Sequence, residues 1–358
     1  MTTNPLLTLK ALGQHVWLDN LSRTLLREGT LQRLISEDGV DGVTSNPAIF
    51  QKAISDSPHY RADLDGLRDL DAEGRYEALV IPDIQAACDL LWATYVASAG
   101  EAGYVSLEVS PLLAGDTTAT IAAAHRLRQA VARDNLLIKV PGTPAGVQAF
   151  EQLTANGVRV NVTLIFSLTQ YEAVLQAYLR GAQRWLDNGG RARQLRSVAS
   201  VFLSRVDTLI DQRLDTLDSP SAQALKGRAG VALAKCCYQR YQEVFNGPTF
   251  ATLAQADVRP QTPLWASTGR KNPAASDVCY VEPLIGPESI NTMPDATLAA
   301  FRDHGQAAKT LNVGIDDAHR HVKALADLGI DMIDAGETLQ IEGVRLFVEA
   351  YEKIMANL

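Results

Sequence analysis

Eight short runs rich in β-branched and aromatic residues recur along the chain, each followed by a stretch of helical periodicity. This alternation narrows the possible folds more than any other feature. In order the runs are HVWLDNL (15–21), DGVTSNP (41–47), YVSLEVSP (104–111), NLLIKVP (135–141), RVNVTLIF (159–166), SVASVFLS (197–204), TPLWAST (262–268) and CYVEPLI (279–285). Nearly continuous apolar strands alternating with helices imply a parallel sheet covered by helices. Eight such units favour closure into a (β/α)8 (TIM) barrel, an α/β fold, over an open sheet. The 358 residues suit one such barrel with additional helices, and neither of the two insertions, 51–80 and 205–258, carries a linker composition. The expectation is a single domain over 1–358, with amphipathic helices from about 295 to 358 packed on the barrel.

The helix starts can be read between the strands. Thr143 caps a helix with Pro144 in its first turn, Val147, Phe150 and Leu153 share a face, and Gly157 ends it. Ser167 and Gln170 form a capping-box pattern at the head of an amphipathic run over 168–186. Both patterns put polar strand residues at strand ends just before a turn into a helix, where a barrel keeps its chemistry.

Composition excludes several function classes. A net charge of −8 argues against a general nucleic-acid binder while leaving room for a local cationic pocket. No apolar run of about 18 residues stands out, and the N-terminal MTTNPLLTLKALGQ lacks the basic start, apolar middle and cleavage site of a leader peptide, so a cytoplasmic, membrane-free protein is expected. Cys88, Cys236, Cys237 and Cys279 have no zinc-ligand spacing and read as reduced thiols, so no metal is called for. Walker and dinucleotide-binding glycine patterns are absent from any convincing context, so no cofactor is called for either. An acidic surface permits monomer or homodimer.

The polar residues at the strand ends are Asp19, Asn46, Glu108, Lys139, Asn161 with Thr163, Ser200 with Arg205, and Ser267 with Arg270 and Lys271. A closed barrel would make them converge. One lysine, two carboxylates, two amides, a threonine and cations suit a phosphorylated, polyhydroxylated carbonyl compound. Lys139 ends an apolar strand, where the charged form of an amine is disfavoured and the free base that attacks a carbonyl becomes accessible. The resulting iminium accepts electrons from an adjacent breaking carbon–carbon bond once a base removes a hydroxyl proton. Asp19 or Glu108 could be that base, the other shuttling protons through a water held by Thr163. Each residue also has a plain reading. A strand-end lysine is often a paired or snorkelling residue, Asn46 before Pro47 is a common turn residue, and Thr163 has good β propensity without any function. Arg205 and Lys271 taken singly read as surface charges.

The segments GVTSNPAIF (42–50), VSLEVSP (105–111), LLIKVPGTPAG (136–146), NVTLIFS (161–167), ASVFLSRVD (199–207), LWASTGRKNP (264–273) and YVEPLIGPESINTMP (280–294) together resemble the transaldolase family in its longer bacterial form. The resemblance implies a barrel of the class I aldolase type and reversible transfer of a dihydroxyacetone unit, from sedoheptulose 7-phosphate to glyceraldehyde 3-phosphate, within the non-oxidative pentose phosphate pathway. It implies Lys139 as the Schiff-base lysine, Glu108 working with Thr163 and a water, and Asp19 handling the hydroxyl proton. It further implies Asn46 and Asn161 as holders of substrate hydroxyls, and Ser200 with Arg205 as binders of phosphate. In ASTGRKNP the adjacent Arg270 and Lys271 both qualify as the second phosphate cation, alongside Ser267. The alternatives are a lyase like fructose 6-phosphate aldolase, against which Phe202 speaks because that branch tends to carry a tyrosine there, and a non-catalytic sugar-phosphate sensor.

Overall fold

The computed structural model describes residues 4–358, and of residues 62 and 65 the backbone alone. The first three residues of the N-terminal stretch read for a leader lie outside it. Eight parallel strands close on themselves in sequence order: β1 (Gln14–Leu18), β2 (Gly42–Thr44), β3 (Tyr104–Glu108), β4 (Leu136–Pro141), β5 (Val160–Ile165), β6 (Ser197–Phe202), β7 (Thr262–Ala266) and β8 (Ser289–Met293). Closure comes from β8 pairing with β1, Gln14 to Leu18 in register with Ser289 to Met293. The fold is the expected (β/α)8 barrel with added helices.

The eighth strand is a correction. The run 279–285 reads as a strand on its β-branched and aromatic residues, yet Glu282–Leu284 is a short 3-10 turn and the strand lies further on at SINTM. Pro283 removes a backbone donor that an interior strand needs. SINTM hides from an apolar-run reading because three of its five side chains are polar yet buried. Ser289 donates to the Gly286 carbonyl and accepts from Gln14, while Asn291 donates to the Tyr280 carbonyl.

Local signals elsewhere hold. Thr143 caps the helix Pro144–Ala155 by accepting from the Gly146 amide at 3.0 Å, and Gly157 follows in the left-handed region at φ +70°. Ser167 caps Leu168–Asp187 by accepting from Gln170 N, and the Gln170 side chain reaches back to accept from Phe166 N at 2.8 Å. Gly146 is obligatory, since a Cβ there would lie 1.9 Å from the Pro141 carbonyl oxygen, so the helix starts directly against the end of β4.

The two insertions are mostly helical. Residues 51–80 finish one helix, make three short turns and begin the long helix Ala72–Ala97; residues 205–258 hold Ser204–Asp215, Ala229–Phe245 and two shorter helices. By length and composition Ala72–Ala97 could cross a membrane, with a mean hydropathy of 1.2 over eighteen residues that the sequence reading passed over. Here it packs on β3 and the last helix, and its buried Asp83 accepts from Arg23 at 2.9 Å and from the Tyr60 hydroxyl at 2.8 Å. That last helix, Met332–Asn357, crosses the end of the barrel to which the strands run.

Candidate active site

Residues at the carboxyl ends of the strands line a cavity of about 180 Å³. Lys139 on β4 lines it, and strand register places Glu108 on β3 and Asn161 on β5 to either side of that lysine, behind the cavity wall. Lys139 is only 4% exposed and Glu108 8%. The Lys139 Nζ lies 3.2 Å from Glu108 Oε2 and donates to the Ser45 carbonyl at 3.1 Å. The lysine's surroundings are therefore polar at close range, unlike the apolar setting its strand suggests. Burial pushes the Glu108 carboxyl above its usual range; the Lys139 ammonium opposes that shift and the Asp19 charge adds to it.

Asp19 follows β1. Its Oδ1 accepts from the Thr44 hydroxyl at 2.7 Å, and Thr44 Oγ1 is also 2.7 Å from Thr292 Oγ1. Because Thr44 has one proton and gives it to Asp19, Thr292 must be the donor in the second contact. Burial raises the Asp19 carboxyl too, against the pull of the Lys139 charge and the Thr44 hydrogen bond. Asp19 also borders a wider groove of about 440 Å³ that runs out past Ser22, Lys52 and Asp295, giving an elongated molecule room beyond the buried lysine.

Thr163 lies on β5 inside an irregularity of the β5–β6 pairing between Val162 and Ile165, where the next residue, Leu164, adopts φ +58°. Bulges of this kind re-aim side chains next to functional sites, and a left-handed leucine is costly enough to need support from its surroundings. The Thr163 hydroxyl is buried on the cavity wall without a protein partner. Asn46 caps the helix Pro47–Asp56 by accepting from Ile49 N at 3.0 Å, and lines the cavity as well.

Ser200, also on the wall, donates to Asn161 Oδ1 at 2.7 Å, and Asn161 Nδ2 donates to Ser106 Oγ at 3.1 Å. Asn161 thus sits one layer beneath the cavity surface and orients Ser200. Arg205 enters from the first turn after β6, its guanidinium carbon 5.7 Å from the Phe202 ring and 5.9 Å from the Phe347 ring. Burial lowers its pKa, while Glu342, Asp19 and Glu108 oppose the shift, and its Nη1 is buried without a hydrogen bond. Ser267, at φ +55°, exchanges a 2.7 Å contact with the Ser204 hydroxyl. The two neighbouring cations part company: Lys271 lines the cavity, whereas Arg270 folds back on its own loop and donates to the carbonyls of Pro273 and Ala275.

Four residues of the site escaped sequence reasoning. Thr44 and Thr292 obey the strand-end rule; Thr44 was passed over beside Asn46, and Thr292 was lost with the misplaced eighth strand. Phe347, 5.9 Å from Lys139 Nζ, and Gln340, which donates to the carbonyls of Gly142 and Leu164, come from the last helix and carry no local signal.

Comparison with known proteins adds a family. The model described as transaldolase/fructose-6-phosphate aldolase matches residues 16–358. A transaldolase of Thiobacillus denitrificans is 54% identical over 349 residues, covering 97% of each chain. One from Neisseria gonorrhoeae is 46% identical over 353 residues, 98% of each chain, and one from Frankia alni is 44% identical over 359 residues, 99% of this chain and 97% of its own.

Proposed function

The chain belongs to the transaldolase/fructose-6-phosphate aldolase family, and from that premise we propose that it acts, as one domain and in the cytoplasm, as a transaldolase working through a Schiff base on Lys139. The observation that carries the reading is a buried amine 3.2 Å from a buried carboxyl, in one cavity with a second carboxyl and an unpartnered threonine hydroxyl. Glu108 is positioned to take the proton that the amine must lose before it attacks the ketose carbonyl. Carbinolamine dehydration then releases water, with Glu108 and Thr163 guiding proton transfer.

In the iminium, Asp19 removes the proton of the hydroxyl on the second carbon beyond the former carbonyl. The carbon–carbon bond between that carbon and the one next to the iminium breaks, and its electron pair is taken up as an enamine on Lys139. Erythrose 4-phosphate leaves when sedoheptulose 7-phosphate is the donor. The enamine adds to the aldehyde carbon of glyceraldehyde 3-phosphate, Asp19 returns the proton to the new alkoxide, and hydrolysis frees fructose 6-phosphate and the amine. Arg205 and Lys271 suit the phosphate, with Ser200 and Asn46 for hydroxyls and Asn161 acting through Ser200. Binding energy from the phosphate end holds the carbonyl against the amine. Phe202 presents only carbon to the cavity, which favours transfer over a lyase that would use a tyrosine hydroxyl there.

Borohydride reduction with fructose 6-phosphate present, followed by peptide mass mapping, tests the reading. A three-carbon adduct on Lys139, absent from Lys139→Ala, is expected. A folded, sugar-binding protein that forms no adduct would overturn the covalent mechanism and favour a sensor.

A further inference from the structure

A second cavity, of about 370 Å³, lies where the helices Ala229–Phe245 and Ile315–Asp327 pack along one another, and it shares no lining residue with the active site. Its size is that of a small-molecule pocket. His321 on its wall is 4% exposed, and neither ring nitrogen has a hydrogen-bond partner. Buried polar atoms are rarely left so, because each unpaired one costs free energy. Lys235, 9% exposed, donates to the carbonyls of Thr310 and Val313, with no carboxylate in ion-pair contact among the described residues. Arg228 stands on the exposed rim without an ion pair among the described residues, close enough that its charge acts on the His321 ring. The one acid on the wall, Asp317, is paired to Arg320. Gly314, which precedes the helix Ile315–Asp327, also lines the cavity and gives that helix no side-chain cap. The local balance is cationic, and the unpaired groups point to something polar that fits between them.

We propose that this cavity is a second binding site, for a small organic anion whose phosphate or carboxylate group meets Arg228 and Lys235 and accepts a hydrogen bond from His321. Its carbon part lies on Val231, Pro283 and Ala318. Burial and the Arg228 charge hold the imidazole pKa down at about 4, so the ring is neutral at pH 7 and offers one N–H donor and one lone pair. A bare inorganic phosphate, only roughly two to three times the volume of a water at about 30 Å³, would leave most of the cavity unfilled.

The chain has six histidines, so histidine-labelled protein gives a readable NMR spectrum, with His321 assigned by its loss in His321→Asn. Arg205→Ala as background weakens anion binding at the active site. The probes are phenyl phosphate, 3-phosphoglycerate, benzoate, citrate and inorganic phosphate, each to about 10 mM, tenfold above a Kd of about 1 mM. The expected result is a saturable shift of the His321 signals by at least one organic probe, weakened about tenfold or more by the further change Arg228→Ala at the exposed rim. The phosphate and carboxylate probes tell the two headgroups apart. The proposal is overturned if no organic probe moves His321, if Arg228→Ala binds as tightly as its parent, or if inorganic phosphate matches the organic probes.

Discussion

Gln340→Met removes an amide that no neighbouring group replaces. The Gln340 side chain is buried in the last helix, and its nitrogen donates to the Gly142 carbonyl at 2.8 Å and the Leu164 carbonyl at 3.1 Å. Those carbonyls stand three residues after Lys139 and one after Thr163, and the Gly142 amide bonds the Thr163 carbonyl at 2.6 Å. One side chain therefore pins together the ends of the two strands that carry the amine and the threonine hydroxyl. Methionine keeps the length and volume but leaves both acceptors without that donor. Each hydrogen bond contributes about 1 kcal/mol net, and an orphaned buried carbonyl costs about 1–3 kcal/mol, so a loss of roughly 2–4 kcal/mol is expected. For a chain of this size that is a fall in Tm of roughly 3–5 °C. Misplacement of a reacting group by about 1 Å can cost 100-fold in rate, so a fall in kcat of about tenfold or more should accompany it, with KM within about twofold because Arg205 and Lys271 follow other strands, β6 and β7. Urea unfolding and steady-state kinetics measure both quantities. Lost stability with kcat unchanged would mean that the clamp serves the helix alone, and the proposed link to the site would be refuted. Gln340→Glu, with the same shape and acceptors in place of donors, should be worse on both counts.

Thr163→Val deletes a buried hydroxyl that has no protein partner, so stability should stay within about 1 kcal/mol of wild type while kcat falls about 10²-fold or more; a large loss of stability would assign the hydroxyl a structural role. Asp19 has its carboxyl raised by burial, so its contribution to stability is full below the unfolded value near 3.8 and is lost as pH rises through the folded value. Asp19→Asn should accordingly stabilise the fold at pH 7 and lose that advantage near pH 4, at a cost of about 10²–10⁴-fold in kcat; chemical unfolding across that pH range would expose a wrong sign. The acid limb of kcat/KM should sit above the ordinary carboxylate range and move on Glu108→Gln, because burial also raises Glu108. Gly146→Ala drives a methyl against the Pro141 carbonyl and should destabilise by about 3 kcal/mol or more, seen as an early urea midpoint.

What could be read from the sequence divides along the range of the forces involved. Strand-end polarity and helix caps are local, so Lys139, Glu108, Asp19 and the capped helices after β4 and β5 were visible in short segments. β8 was not, because its interior is polar and hydrogen-bonded rather than apolar: Ser289, the Asn291 side-chain nitrogen and Thr292 find partners up to 275 residues away. Arg270 and Lys271 are equal candidates in sequence, and only the loop conformation, which turns Arg270 onto Pro273 and Ala275, separates them. Asn161 reads as a binding amide from its strand-end position, yet its oxygen and nitrogen are both engaged by neighbouring serines. Phe347 is one apolar residue in a helix of period 3.6, and periodicity does not say which aromatic ring will face an ammonium from the opposite end of the fold.

The reach of that last helix has a consequence for synthesis. Lys139, Glu108, Asp19 and Thr163 all emerge in the first half of the chain, but β1 cannot find its second neighbour and close the barrel until β8 has been made, and Phe347 and Gln340 follow later still. A ribosome-bound chain thus carries Lys139 for much of its birth as an ordinary solvated side chain, with neither walls nor carboxyl partner held in place. Pairing at such separation is slow and leaves strand edges open meanwhile. On the proposed mechanism the site is complete only when the final helix docks, so errors of assembly should produce inert chains rather than leaky catalysts.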